Sequence, residues 1–213
     1  MGAVEVSGLA YRRSWPGLRA PRSVTADDAS DEALMAAWVG GDAAAFERLY
    51  ARHRGGSYRY FLRSVREEGL AQELFQDLWM SVVRAAADWE PRARFGTWLY
   101  TVAHNRLIDH YRRSGIVELV PLTEDAGDDD PPGALPDGAP GPEVRAQSRQ
   151  AARALLSLVE ALPAAQREAF LMQEEGGLSL AEIARATGAG IETVKSRLRY
   201  AMNRLREGMK EFT

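Results

Sequence analysis

Lys195, Ser196, Arg199 and Asn203 lie opposite Val194, Leu198, Ala201 and Leu205, apolar residues spaced four, three and four apart. At helical period, burying that stripe turns Glu192, Lys195, Ser196, Arg199 and Asn203 outward, with Arg197 and Arg206 at the flanks. Cations neutralise phosphates, and Arg, Ser and Asn also reach base edges in the major groove. A solvated basic face on a plain helical hairpin is the competing reading, and the residues upstream decide against it. Ser179-Leu-Ala-Glu182 forms a capping box, and the helix it starts stops at Gly188. A short capped helix, a glycine turn and a longer basic helix make the pattern of a helix-turn-helix, so this end of the chain is expected to bind duplex DNA.

A second run mixes aromatic rings with cations and amides. Trp89-Glu-Pro-Arg-Ala-Arg-Phe-Gly-Thr-Trp98 leads into Tyr100, His104, Asn105, Arg106, His110, Tyr111, Arg112 and Arg113. Unstacked bases need flat faces and the single-strand backbone needs cations, so this composition suits melted nucleic acid. Trp98, Val102 and Ile108 also fit a core, and for Trp98 the core reading leads. Asn105 and Arg112 have no evident core role and are assigned to nucleic acid.

Other chemistry finds little support. His53, His104 and His110 do not stand at metal-ligand spacing, and no carboxylate constellation accompanies them. No nucleophile pairs with a base and no glycine-rich phosphate loop occurs, so an enzyme is not expected, nor a cofactor. The absence of cysteine excludes disulfides and thiolate metal sites within this chain. No run of about 18 apolar residues could span a membrane, and the first thirty residues lack the apolar stretch of a secretory signal. A cytoplasmic location is expected.

The formal net charge of −3 conceals a pattern. From Ser114 to Glu143 there are acids and no Lys or Arg, whereas Arg185, Lys195, Arg197, Arg199, Arg204 and Arg206 crowd the last helices. Gly127 to Pro142 is rich in proline and glycine and cannot build a core, so 114–142 reads as a flexible acidic linker. It separates block 31–113 from block 143–213, while 1–30, with Pro16, Gly17 and Pro21, reads as a disordered extension. Both blocks are expected to be helical. The first holds a helix over Asp31–Val39, then one capped by Asp42 with Phe46, Leu49, Tyr50, Tyr58, Phe61 and Val65 on its apolar side. Gly69 interrupts before a third helix that carries Leu70, Leu74, Leu78, Val82 and Ala86, its stripe widened by Phe75, Trp79, Val83 and Trp89. Pro91 closes it, and a fourth helix runs from about Thr97 to Arg113. In the second block a helix over 144–162 buries Leu155, Leu158, Val159 and Leu162. Pro163 sits in the first turn of the next, which ends at Gly176-Gly177.

Four segments carry a family likeness. Glu73-Leu-Phe-Gln-Asp77-Leu-Trp, the run from Phe95 through Asn105 to Arg113, Leu162-Pro-Ala-Ala-Gln-Arg-Glu-Ala-Phe170 and Thr193-Val-Lys-Ser-Arg-Leu198 resemble extracytoplasmic-function sigma factors, over about 31–113 and 143–208. The resemblance implies an all-α chain of two small helical domains, regions 2 and 4 of sigma, and a factor that joins core RNA polymerase to start transcription. It implies that Glu73, Gln76 and Asp77 bind the clamp helices of the polymerase largest subunit, with the second domain against the flap. Arg94, Trp98, His104, Asn105, Arg112 and Arg113 would melt and hold the minus-ten element. Glu192, Thr193, Lys195, Ser196, Arg197, Arg199 and Asn203 would read the minus-thirty-five element. An anti-sigma protein, often membrane-anchored, is a further partner it allows. Two positions depart from the family: Gly190 replaces a frequent Ser cap, and Tyr200 replaces a frequent Arg. A stand-alone helix-turn-helix regulator is the alternative.

Overall fold

The computed structural model describes residues 29–86, 89, 93–115 and 142–210. The expectations for the N-terminal extension, for Pro91 and for most of the linker lie outside them. The described residues from Asp31 onward form one compact unit, and its described elements are helices: α1 (Asp31–Val39), α2 (Ala43–Val65), α3 (Glu68–Ala85), α4 (Phe95–Arg113), α5 (Pro142–Ala161), α6 (Ala164–Gly176), α7 (Leu180–Thr187) and α8 (Ile191–Met209).

The helix ends follow local chemistry. Asp42 accepts from the backbone amides of Ala44 and Ala45 and so caps α2. The break after α2 is not at Gly69, which lies in the first turn of α3. It falls at Arg66, held at φ 60° in the left-handed region with its amide bonded to the Leu62 carbonyl. A bulky residue thus takes the cap conformation that glycine favours. Pro163 precedes α6 as its N-cap, because its φ of −53° suits a helix start and its ψ of 143° does not continue one. α3 ends at Ala85, so Ala86 and Trp89 fall outside it. α4 starts two residues before expectation, at Phe95. Its cap comes from another helix: the Glu32 carboxylate of α1 accepts from the Phe95 amide at 2.8 Å.

Two apolar clusters hold the helices. Leu34, Met35, Leu49, Phe61, Leu74, Leu78, Phe95 and Leu99 are buried among α1 to α4. Tyr50 and Phe46 meet Trp79 at ring separations of 4.8 and 6.0 Å. Val159, Leu162, Leu171, Met172, Ile183, Val194, Leu198 and Leu205 close the second cluster among α5 to α8. Burying each such side chain stabilises by about 1.5–3 kcal/mol. Two expected core residues are not core. Val83 and Leu155 stay 44% and 38% exposed. The clusters also meet each other, α6 lying on α2 and α7 on α4.

Candidate nucleic-acid interface

α7 and α8 make the helix-turn-helix. Ser179 Oγ accepts from the Glu182 amide while the Glu182 carboxylate takes the Ser179 amide at 2.9 Å, completing the box. Gly188 ends α7 at φ 67°, a conformation costly for any residue with a Cβ. Val194, Leu198, Ala201 and Leu205 of α8 are buried as the spacing predicts. Glu192, Lys195 and Asn203 are exposed, and Thr193, Ser196, Arg197 and Arg199 are half-buried. Arg199 lies 5.2 Å from the Tyr200 ring, so the tyrosine packs beside an arginine of the polar side of α8. Gly190 caps α8 without a side-chain bond.

In α4 the aromatic and cationic residues divide between two stripes. Residues seven apart drift by only about 20° on a helix. Trp98, Asn105 and Arg112 therefore share one stripe, on which Asn105 and Arg112 are exposed and Trp98 is half-buried. The Trp98 ring rests 5.7 Å from Phe95, which gives it a packing role and leaves one side open. Thr97, His104 and Tyr111 share the neighbouring stripe, on which Thr97 and His104 meet the second cluster and Tyr111 meets α2. The Thr97 hydroxyl donates to Glu182 at 2.8 Å, His104 Nδ1 lies 2.6 Å from Glu168, and the Tyr111 hydroxyl donates to the Ser64 carbonyl at 3.1 Å. Arg94, largely exposed, reaches Glu182 at 3.4 Å. Arg113 bonds the Asp109 carbonyl and complements the C-terminal end of α4 with Arg112 and His110.

Sequence reasoning missed the acids that face this helix. Glu168 is buried, and it accepts from the Tyr60 hydroxyl at 2.7 Å as well as meeting His104. Burial and the adjacent carboxylate push the Tyr60 hydroxyl well above its usual range, so it stays a donor. Burial raises the Glu182 carboxyl, but the Ser179 amide and hydroxyl, the Thr97 hydroxyl and the Arg94 charge outweigh it and hold the group at about 2. A depressed carboxyl stabilises the fold above its ordinary value near 4.5 and loses that contribution as pH falls toward 2. Urea denaturation should therefore show a stability loss in that window that Glu182→Gln flattens. Ser179→Ala should cost about 1 kcal/mol at neutral pH. An unchanged midpoint would mean that the box does not set the start of α7.

On α3, Glu73, Gln76 and Asp77 are exposed along one side, and Met80 and Val83 extend that side at 49% and 44% exposure. Next to it, between α2 and α3, is a groove of about 580 Å³ lined by Tyr50, Arg54, Tyr58, Gln72, Phe75 and Gln76. The aromatic lining of this groove was read from sequence as core alone. Among the described residues no helix is long and apolar enough to cross a membrane.

Comparison with known proteins agrees with this geometry. Residues 49–115 match the family Sigma-70 region 2 and residues 152–205 match Sigma-70, region 4. The chain is 32% identical over 167 residues to the RNA polymerase sigma factor CarQ of Myxococcus xanthus, covering 78% of this chain and 90% of that protein. It is 33% identical over 171 residues to the ECF RNA polymerase sigma factor RpoE of Cereibacter sphaeroides, covering 79% and 88%. Its fold resembles CnrH, solved with the cytosolic domain of CnrY, at a TM-score of 0.58 and 20% identity over 86% of this chain and 99% of that one. The sigma factor RpoE of Bartonella quintana, solved with the anti-sigma factor NepR, follows at 0.56 and 22% over 78% and 96%.

Proposed function

Because this chain belongs to the extracytoplasmic-function group of sigma-70 family sigma factors, we propose a division of labour among its helices. The chain is an alternative sigma factor that acts in promoter recognition and transcription initiation, which removes the stand-alone regulator. α8 lies in the major groove of the minus-thirty-five element with Glu192, Thr193, Lys195, Ser196, Arg197, Arg199 and Asn203 toward the DNA. The exposed stripe Trp98, Asn105 and Arg112, with Arg94, His104 and Arg113 beside it, takes the melted minus-ten strand. The outer side of α3 at Glu73, Gln76 and Asp77 holds the clamp helices of core polymerase, and the second cluster meets the flap. It works in the bacterial cytoplasm, where polymerase and DNA are, and an anti-sigma protein binds it, as the anti-sigma factor NepR is bound to the solved RpoE of Bartonella quintana.

The observation that carries this reading is the polar stripe of α4. An amide and a guanidinium seven residues apart, on the helix surface next to a tryptophan, have no packing task. In the same chain a separate helix-turn-helix shows its polar face. A duplex reader alone has no use for the first surface.

Transcription in vitro, with core polymerase and the genomic region upstream of the gene, tests it. Wild-type protein should start transcripts there. Asn105→Ala should slow open-complex formation on duplex template by about tenfold, the scale of a lost base contact, with a smaller effect on a pre-melted bubble. Equal loss on both templates would mean that Asn105 holds the fold and not a base.

A further inference from the structure

α4 begins without a cap of its own. Arg94, its N-cap residue, makes no side-chain bond to the helix, and the first turn carries no acidic residue. The first amides of an α-helix have no partner within the helix, and an end left so tends to fray. The missing acceptor comes from α1, 63 residues back, where Glu32 Oε1 takes the Phe95 amide at 2.8 Å. A carboxylate there also faces the positive end of the helix dipole. Glu182 lies at the same end of α4, but its oxygens are taken by the Ser179 amide and hydroxyl, the Thr97 hydroxyl and Arg94.

α1 is itself tied down beside this bond. Asp31, next to Glu32, pairs with Arg52 at 3.0 Å and lies 2.6 Å from His53 Nε2, both on α2. The His53 ring in turn rests 5.1 Å from the Phe95 ring. Leu34 and Met35 anchor the same helix in the core at 2% and 0% exposure. Two adjacent acids thus connect α1 to α2 and to α4.

The end of α4 that is fixed in this way is the end the promoter reading uses. Arg94 immediately precedes Phe95, and Trp98 lies one turn on with its ring 5.7 Å from the Phe95 ring. Phe95 is fully buried, so it is pinned by its side chain as well as by its amide. We propose that Glu32 is a positioning residue for the melted minus-ten strand: its bond to the Phe95 amide keeps the first turn of α4 formed, and so holds Arg94 and Trp98 in the geometry in which they meet the strand. The inference rests on the promoter reading of the preceding subsection. Glu32 acts through Phe95 and touches no base. Without the bond, the first turn must be ordered each time the strand binds, and affinity falls by that ordering cost.

The test uses holoenzyme made with the full chain and the genomic region upstream of the gene. Glu32→Ala should slow open-complex formation on that duplex by about fivefold, the scale of a lost helix cap. Glu32→Gln keeps a side-chain carbonyl to accept the bond and should stay within about twofold of wild type. In a chain already carrying Arg94→Ala and Trp98→Ala, Glu32→Ala should add no more than about twofold, because residues that act through one another are not additive. Exchange of the Phe95 amide with deuterated solvent should quicken in Glu32→Ala and not in Glu32→Gln. Core-polymerase binding, assigned to α3, should stay at the wild-type level throughout. A wild-type rate in Glu32→Ala, a Gln variant as slow as the Ala one, or an undiminished effect in the Arg94→Ala, Trp98→Ala chain would each overturn the proposal. Loss of polymerase binding by Glu32→Ala would overturn it too, since Glu32 would then hold the whole first cluster. Wild-type protein that starts no transcript there would overturn the promoter reading instead, and the exchange rates would still report whether Glu32 caps α4.

Discussion

The Glu73→Lys, Asp77→Lys chain is expected to lose core RNA polymerase binding by roughly a hundredfold or more. The two carboxylates stand four apart on the exposed side of α3, so a basic partner surface meets both at once. Reversing both replaces attraction with like-charge contact across a desolvated interface, which costs several kcal/mol. The fold should hardly notice, since exposed substitutions away from caps and networks shift stability by about 0.5 kcal/mol or less. Co-elution with core polymerase and thermal melting separate the two effects. Binding that survives would move the docking surface off α3. Failure of the wild-type protein to bind, free of any anti-sigma protein, would contradict its role as a sigma factor. Met80→Ala is a useful companion, because loss of its exposed apolar contact should weaken binding without changing its dependence on salt.

Lys195→Ala with Arg199→Ala should reduce transcription from the cognate promoter by between about tenfold and a hundredfold, as expected when a base contact of about 1–3 kcal/mol and a phosphate contact are lost. The single variants should differ in kind. Lys195, exposed, is placed to meet phosphate, so Lys195→Ala should weaken all sequences alike and lower the salt slope by about one. Arg199, half-buried beside Tyr200, has a restricted approach, and Arg199→Ala should relax preference at one base pair. Binding to a promoter library at two salt concentrations distinguishes them. Transcription at the wild-type level from the double variant would show that α8 reads the element through other residues.

Much of the architecture was legible because it is local. The stripe Val194, Leu198, Ala201 and Leu205, the Asp42 cap and the Ser179–Glu182 box each depend on residues within a few turns, and the structure forms all of them. The expectations that moved were those that turn on neighbours. Gly69 looked like a break, yet Arg66 makes it. Val83 and Leu155 looked like core, yet both stay exposed in the packed helices. One position along α4 likewise separates the exposed Asn105 from His104, which lies against Glu168.

By itself the sequence determined the helical periods, their caps, the helix-turn-helix and the polar faces of α4 and α8, since side-chain order within a few turns sets all of these. Tertiary structure alone decided which charges are buried. Glu168, Glu175 and Glu182 are buried by partners far along the chain: Tyr60, Arg59 and Thr97 lie 108, 116 and 85 residues away. The one local hint was the glycine pair Gly55 and Gly56 inside α2, and Gly56 acquires its meaning only from the Glu175 carbonyl that lies against it. Helix period is a property of adjacent residues, whereas a buried ion pair and a close backbone approach depend on how whole helices pack, which no spacing along the chain encodes.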